Sequence, residues 1–216
     1  MADGSTIHLA AVIAAAGLSR RMGRPKQLLP WGGSTVIAVV ARSLSQAGAA
    51  PVICVTGHRG QEVAAALART DAVIVPNPAY RQQDLLSSYQ AGVRWLLENA
   101  DHACTIEGAL LSLGDQPHLP ASTIARIAAQ ARRTPDRIVI PSYDMRRGHP
   151  MVLPQVLWGE LLALAADDAL RTLVNRHADR IIYVNTKDDA VLLDMDTPAD
   201  YERLRGRFEE QIGTDT

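Results

Sequence analysis

The stretch Val12-Ile-Ala-Ala-Ala-Gly-Leu-Ser-Arg-Arg-Met-Gly-Arg-Pro-Lys-Gln-Leu-Leu-Pro-Trp31 decides how this chain is read. An apolar run from Leu9 to Ala16 stops at Gly17, and a polar, basic segment follows: Ser19, Arg20, Arg21, Gly23, Arg24 and Lys26. The first half has the pattern of a strand buried on both faces. The second half has the pattern of an anion-binding loop. Glycines let the backbone come close to a ligand and turn its N–H groups toward it. Four cations within seven residues, Arg20 to Lys26, supply the charge that a triphosphate requires.

Two familiar phosphate loops do not fit. A Walker loop carries Lys directly after its second fixed glycine, whereas Gly23 is followed by Arg24 and Pro25. A dinucleotide fingerprint needs a glycine two places after Gly17, where Ser19 stands, so nicotinamide chemistry has no support here. Charge alone leaves a strand with a solvated basic loop as the alternative.

The chain has 216 residues, enough for one sizeable core, and one domain over residues 1–216 is expected. Hydrophobic residues make up 47% and charged residues 21%, which fits a soluble globular protein. A net charge of −1 argues against a general nucleic-acid surface, so phosphate binding must come from local clusters. No apolar run approaches the ~20 residues of a membrane span. Met1 to His8 lacks the basic and apolar regions of a signal peptide, and a cytoplasmic location is expected. Cys54 and Cys104 form neither a disulfide framework nor a zinc spacing, and Cys54 reads as a small core residue.

Strand patterns occur at residues 9–15, 52–56, 72–75, 109–113, 137–140, 151–153, 181–184 and 190–193. Helical patterns occur from Ser34 or Thr35 to about Gly48, then at residues 61–69, 85–98, 122–132, 156–165, 169–177 and 198–209, the last capped by Thr197. Their alternation predicts an α/β fold with a mainly parallel sheet and helices on both faces. Ligands of such sheets bind beyond the carboxyl ends of the strands. Gly17, Asn77 and Asp115 each follow a predicted strand and therefore collect on one edge. Asp115 reads either as a turn residue before Pro117 or as a Mg²⁺ ligand. Asp196 reads as part of a helix start, and Arg146 to His149 as a turn between strands.

The ordered string Ala15-Ala16-Gly17-x-Ser19-x-Arg21-Met22-Gly23-x-x-Lys26 resembles the signature of nucleotidyltransferases with a Rossmann-like, glycosyltransferase-A-like fold. The form is that of the MobA-like NTP transferases of molybdenum cofactor synthesis. Ala-Ala-Gly with Lys26-Gln-Leu-Leu-Pro-Trp-Gly-Gly33 looks more like the cytidylyl-transferring members than the guanylyl-transferring ones. The resemblance continues in weaker motifs to about Tyr201.

It implies nucleotide binding by Ala15, Ala16, Gly17, Ser19, Arg21, Gly23, Lys26 and Asn77. Arg21, Lys26 and Asp115 would be catalytic. Mg²⁺ would be held by Asp115, in a Gly-Asp-x-Pro string, and by Asp196, in an Asp-Thr-Pro string with Asp194 as the alternative ligand. The acceptor would meet Gly148, His149 and Pro150, and the adjacent Arg146 and Arg147 would together hold its phosphate bidentately. The implied reaction is CMP transfer from CTP to molybdopterin with release of pyrophosphate, for use by an apo-molybdoenzyme. A different small-phosphate acceptor, such as a sugar phosphate, and a non-catalytic dinucleotide carrier are the alternatives. The Asn77-Pro78 segment departs from the family: Tyr80 replaces Trp, the segment is one residue longer, and Asp84 replaces Gly. The placement of Lys26 directly after Pro25, and after Gly17 and Gly23, suits a side chain folded over the phosphates. A lysine with that duty alone would leave unliganded stability unchanged.

Overall fold

The computed structural model describes residues 7–82, 85–99 and 106–214. Asp84 and Cys104 lie outside the described residues. In chain order the elements begin with β1 (His8–Ala15), the short strands β2 (Pro30–Trp31) and β3 (Ser34–Thr35), α1 (Val36–Gln46), β4 (Ala49–Thr56), α2 (Gly60–Ala66) and β5 (Val73–Pro76). Next come α3 (Leu85–Asn99), β6 (Ile106–Leu113), α4 (Ala121–Arg133), β7 (Ile138–Tyr143), β8 (Arg146–Arg147) and β9 (Met151–Pro154). The chain finishes with α5 (Trp158–Ala163), α6 (Leu170–Arg176), β10 (Ile181–Asn185) and α7 (Pro198–Thr214).

The main sheet runs β10-β7-β9-β6-β1-β4-β5, with β8 paired to β7. Strand β9 is antiparallel to β6 and β7, and the other neighbours along that path that contain β1, β4 or β10 are parallel. This is the mixed, mainly parallel α/β sheet that the alternation predicts. Strand β1 lies between β4 and β6, with Val12 opposite Ile53 on one side and Leu111 on the other. Its side chains alternate between faces, as a strand requires. Leu9, Ala11 and Ile13 pack with Ile37 and Leu44 of α1 and Ile127 of α4. Ala10 and Val12 pack with Tyr89 and Val93 of α3 and Leu161 of α5. Cys54 is buried in the first of these layers, and burial pushes its thiol up to about 12.

The local signals act as chemistry dictates. Thr35 caps α1, its Oγ1 accepting the Ala38 N–H at 3.4 Å. Gly48, just beyond the helix, has φ +82°, a conformation that glycine adopts without Cβ strain. A third cluster joins Met22, Leu29 and Trp31 to Val36, Met195, Tyr201 and Leu204. It fixes the segment after β1 against the C-terminal helix α7.

Three expectations need correction. Residues 190–193 are not a strand but belong to a short 3-10 turn, Asp189–Leu192. Asp188 starts it by accepting the Ala190 N–H at 3.0 Å, and this side-chain bond competes with strand pairing. The helices expected over 156–165 and 169–177 are shorter, because Gln155–Leu157 forms a 3-10 turn and the Asp168 side chain accepts the Ala165 N–H at 3.0 Å. Arg146 and Arg147 do not form the turn after β7 but the strand β8, and the bend is made by Asp144 and Met145 at φ +47° and +62°.

Helix α3 approaches β1 at Gly92, where a Cβ would stand 2.3 Å from Val12 Cγ1. Gly92→Ala is expected to destabilise the protein by about 1–3 kcal/mol through overpacking. Urea unfolding measures the loss, and Val12→Ala in the same chain should recover part of it. No loss in the single variant would mean that the helix simply slides.

Candidate active site

The loop after β1 is held open by its own polar side chains. Ser19 takes a left-handed conformation, φ +50°, and Gly23 takes φ +70°. The Ser19 hydroxyl accepts the Lys26 backbone N–H at 3.2 Å and donates to Gln27 Oε1 at 3.3 Å. Gln27 is buried, and its Nε2 lies 3.4 Å from the Ala15 carbonyl, at the long end of a hydrogen bond. The loop thus folds back on the strand from which it leaves. Met22 and Leu29 anchor its two halves in the third apolar cluster. Ser19 is therefore placed as a brace of the loop.

Lys26 reaches across the strand ends. Its ammonium makes a short contact with Asp115 Oδ2 and lies 3.2 Å from Asp196 Oδ1. Arg21 Nη2 reaches the other oxygen of Asp196 at 2.8 Å. Burial alone would lower the Lys26 pKa, but Asp115 and then Asp196 outweigh it and hold the ammonium above its ordinary value. Asp194 stands beside them. Desolvation comes first, then Asp115 and Asp196, in raising its carboxyl above the usual range. Without a nucleotide, Lys26 is already engaged. It is ion-paired, and its removal would leave the buried Asp115 without its cation.

Asp115 and Asp196 come from segments far apart in the chain. Gln116, which the sequence reading did not single out, ties these segments together. Its buried Nε2 donates to the Leu193 carbonyl at 3.1 Å and lies 3.4 Å from Asp194 Oδ1. Its position directly after Asp115 and before Pro117 was the available signal.

Two spaces flank Lys26. One, of about 170 Å³, is lined by Ala14, Ala16, Gly17, Gln27, Tyr80, Ser88 and Gly114 together with Lys26 and Asp115. The other, of about 400 Å³, is lined by residues 17–21, Lys26 and Asp196. Gly17 and Lys26 border both. Ala15 and Gly23 line neither. Ala15 belongs to the core, and Gly23 makes the turn.

Asn77 is also a support. Its Oδ1 accepts the Ala79 N–H at 2.9 Å, while Nδ2 donates to Ser87 Oγ at 3.0 Å and lies 3.3 Å from Ser88 Oγ. The side chain is buried and its bonding capacity is used. Ser88, not Asn77, faces the smaller space.

A third cavity, about 360 Å³, shares Leu85 with the first. Leu86, Met151, Leu170 and Val174 make it mostly apolar, with Arg147 and His149 among its polar lining. Gly148 and Pro150 do not line it; both are buried. A Cβ on Gly148 would fall 2.3 Å from the Val191 carbonyl oxygen, so this glycine allows the turn that carries His149 inward. Arg146 and Arg147 do not act as a pair, since adjacent strand residues point to opposite faces. Arg147 Nε donates to the Tyr183 hydroxyl at 2.9 Å, and Nη1 to Asn175 Oδ1 at 3.0 Å.

Opposed cations and carboxylates thus gather at the carboxyl edge of β1 and β6, beside a glycine loop. The chain belongs to the MobA-like NTP transferase family, whose domain description matches residues 11–181, and it is a nucleotidyltransferase. It is 29% identical over 202 residues, 92% of this chain and 96% of the relative, to the molybdenum cofactor cytidylyltransferase of Escherichia coli K12. It is 30% identical over 213 residues, 94% of this chain and 100% of the relative, to a protein of Paenarthrobacter nicotinovorans named nicotine blue oxidoreductase. Among solved structures, a nucleotidyl transferase from Methanothermobacter has TM-score 0.78 and 28% identity, covering 96% of this chain and 100% of its own. Rv0371c of Mycobacterium tuberculosis, solved as a complex with manganese, has TM-score 0.67 and 32% identity, covering 94% and 100%.

The histidines near this site give an acid-stability signature. Burial pushes His149 below its ordinary value, opposed by Asp115. Burial also pushes His118 down, opposed first by the Ala190 carbonyl. Unfolded histidines take up protons near pH ~6.5, where the folded ones do not. Their contribution is therefore complete above that pH and lost as the pH falls below it toward the folded values. Melting temperatures from pH 7.5 to 5 should fall, and His149→Gln should flatten the slope. An unchanged slope would assign the acid sensitivity elsewhere.

Proposed function

We propose that the protein is a Mg²⁺-dependent cytidylyltransferase that moves CMP from CTP to the phosphate of a molybdopterin-type acceptor. The observation that carries this reading is the meeting of Arg21, Lys26, Asp115 and Asp196 beside the loop after β1. The nucleoside end of CTP enters the smaller space under Ala16, Gly17 and Ser88, and the phosphates lie along residues 17–26. The acceptor body fills the apolar cavity, with Arg147 and His149 at its polar side. The name of the molybdenum cofactor cytidylyltransferase relative supports cytidylyl transfer and an acceptor of the molybdenum cofactor type.

The donor set fits a divalent ion. Two carboxylate oxygens from separate segments already gather around one cation, the Lys26 ammonium. Among the described residues no group of three or more His, Cys, Asp or Glu is placed to hold a metal. Mg²⁺ suits such a site, since it binds through one or two carboxylates and completes its shell with phosphate oxygens and water. Asp115 and Asp196 would hold it, and it would supply charge neutralisation and orientation of the phosphates.

An acceptor phosphate oxygen forms a bond to the α-phosphorus as the bond to the bridging oxygen breaks, and pyrophosphate leaves. No covalent protein intermediate is required. The loop positions the triphosphate, while Arg21 and Lys26 offset the charge that builds on the leaving pyrophosphate. His149, whose pKa burial pushes below its ordinary value, offers a hydrogen-bonding ring at the polar side of the apolar cavity.

Pyrophosphate release is measured with CTP, GTP, ATP and UTP, each with molybdopterin and Mg²⁺. CTP should be preferred, and equal turnover with GTP would remove the base assignment. A carrier would bind dinucleotide and release no pyrophosphate, and a sugar-phosphate enzyme would turn over only with its own acceptor. Lys26→Ala should lower turnover by about 10²–10³-fold, the usual effect of losing one preorganised charge-stabilising group. The same variant should melt lower without ligand, because Asp115 loses its partner; an unpaired buried polar group costs about 1–3 kcal/mol. Asp115→Asn should lose activity and require more Mg²⁺ while staying folded. Wild-type rates in either variant would refute its assigned role.

A further inference from the structure

The Lys26 ammonium occupies the point at which the Asp115 and Asp196 carboxylates meet. It is well shielded, with its side chain 18% exposed and that of Asp115 9%. Lys26 fills the point between Asp115 Oδ2 and Asp196 Oδ1, the one place where a single ion touches both carboxylates. A metal bridging those two oxygens therefore displaces the lysine.

The charges define when it can leave. Asp115 and Asp196, with Asp194 beside them, face Lys26 and the exposed Arg21. A dication arriving alone would add two positive charges beside the Lys26 ammonium and would strip Lys26 of its partners. A triphosphate changes the balance, because it brings anionic oxygens to the other side of the same lysine. Lys26 borders both spaces on either side of the carboxylates. Its backbone is pinned by Ser19 and follows the extended Pro25, so only the flexible stem has to move.

We infer that Lys26 is an internal counter-ion that closes the Asp115–Asp196 pair to divalent metal until a nucleoside triphosphate draws its ammonium away. The inference rests on the reading of these carboxylates as the metal ligands. Metal and nucleotide then bind as a coupled event, each raising the affinity for the other by the same factor.

The test titrates Mn²⁺ against nucleotide-free protein, following free Mn²⁺ by electron paramagnetic resonance. It is repeated with α,β-methylene-CTP, whose own Mn²⁺ binding is measured separately. The wild type should bind Mn²⁺ weakly alone and more tightly with the analogue, within the roughly 5–150-fold range typical of coupled sites. Lys26→Met should bind Mn²⁺ alone at least about tenfold more tightly than the wild type, with most of the coupling lost. Lys26→Arg, which keeps the charge, should stay close to the wild type and guards against a folding defect in the neutral variant. Mn²⁺ should also raise the melting temperature of Lys26→Met more than that of the wild type.

If Lys26→Met binds Mn²⁺ no more tightly, yet adding Asp115→Asn abolishes that binding, the counter-ion role falls and the metal site stands. If Asp115→Asn and Asp196→Asn leave Mn²⁺ binding unchanged in both backgrounds, the metal assignment falls and takes this inference with it.

Discussion

The site depends on one cation held by carboxylates from distant parts of the chain. Lys26 is 89 residues from Asp115 and 170 from Asp196. Each arrives by a different route. The ladder between β1 and β6 pairs Ala14 with Leu113, so the two strands end together and their following loops lie side by side. Lys26 and Asp115 are neighbours for that reason. Asp196 belongs to neither strand and must be brought in by other means.

Those means are apolar. Arg21 and Asp196 are ion-paired, but the Arg21 side chain is 72% exposed, and exposed pairs contribute only about 0–1 kcal/mol. Met195 and Leu204 are buried on the other side of the same segment, among Met22, Leu29 and Trp31. Full burial of one such side chain stabilises by about 1.5–3 kcal/mol. Trp31 also stacks near Phe208 with ring centres 5.2 Å apart, and the Tyr201 hydroxyl donates to the Pro30 carbonyl at 2.8 Å. The apolar cluster holds the C-terminal segment against the loop, and the charges are positioned as a result.

Several polar residues serve the site without facing it. Gln27 closes the loop onto the Ala15 carbonyl, Asn77 orients Ser88, and Gln116 ties the Asp115 loop to the Asp194 segment. Gly148 admits the Val191 backbone so that His149 can turn toward the apolar cavity. The amide groups of Gln27, Asn77 and Gln116 donate to backbone or neighbouring side chains, as burial demands of a polar donor. The loops that carry Asp115 and Asp196 are thus pre-set in relation to each other, which suits a reaction that depends on positioning.

The amino-acid sequence by itself determined β1, its both-sided burial, the basic loop after Gly17 and the alternation that makes a mainly parallel sheet. These are local properties: hydrophobic periodicity, glycine at a positive φ, a threonine cap. It also marked Lys26, Asp115 and Asp196 through ordered motifs. Only the tertiary structure decided which residues touch. It turned residues 190–193 from an apparent strand into a capped turn, because the Asp188 side chain captures an N–H that a strand would offer to its neighbour. It withdrew Asn77, Gly148 and Pro150 from the cavities and put Ser88 and Tyr80 there. It joined Lys26 to two carboxylates that no spacing in the chain relates. The physical reason is that ion pairing and cavity lining depend on distances set by strand register and apolar packing between segments, and neither is encoded in any one stretch.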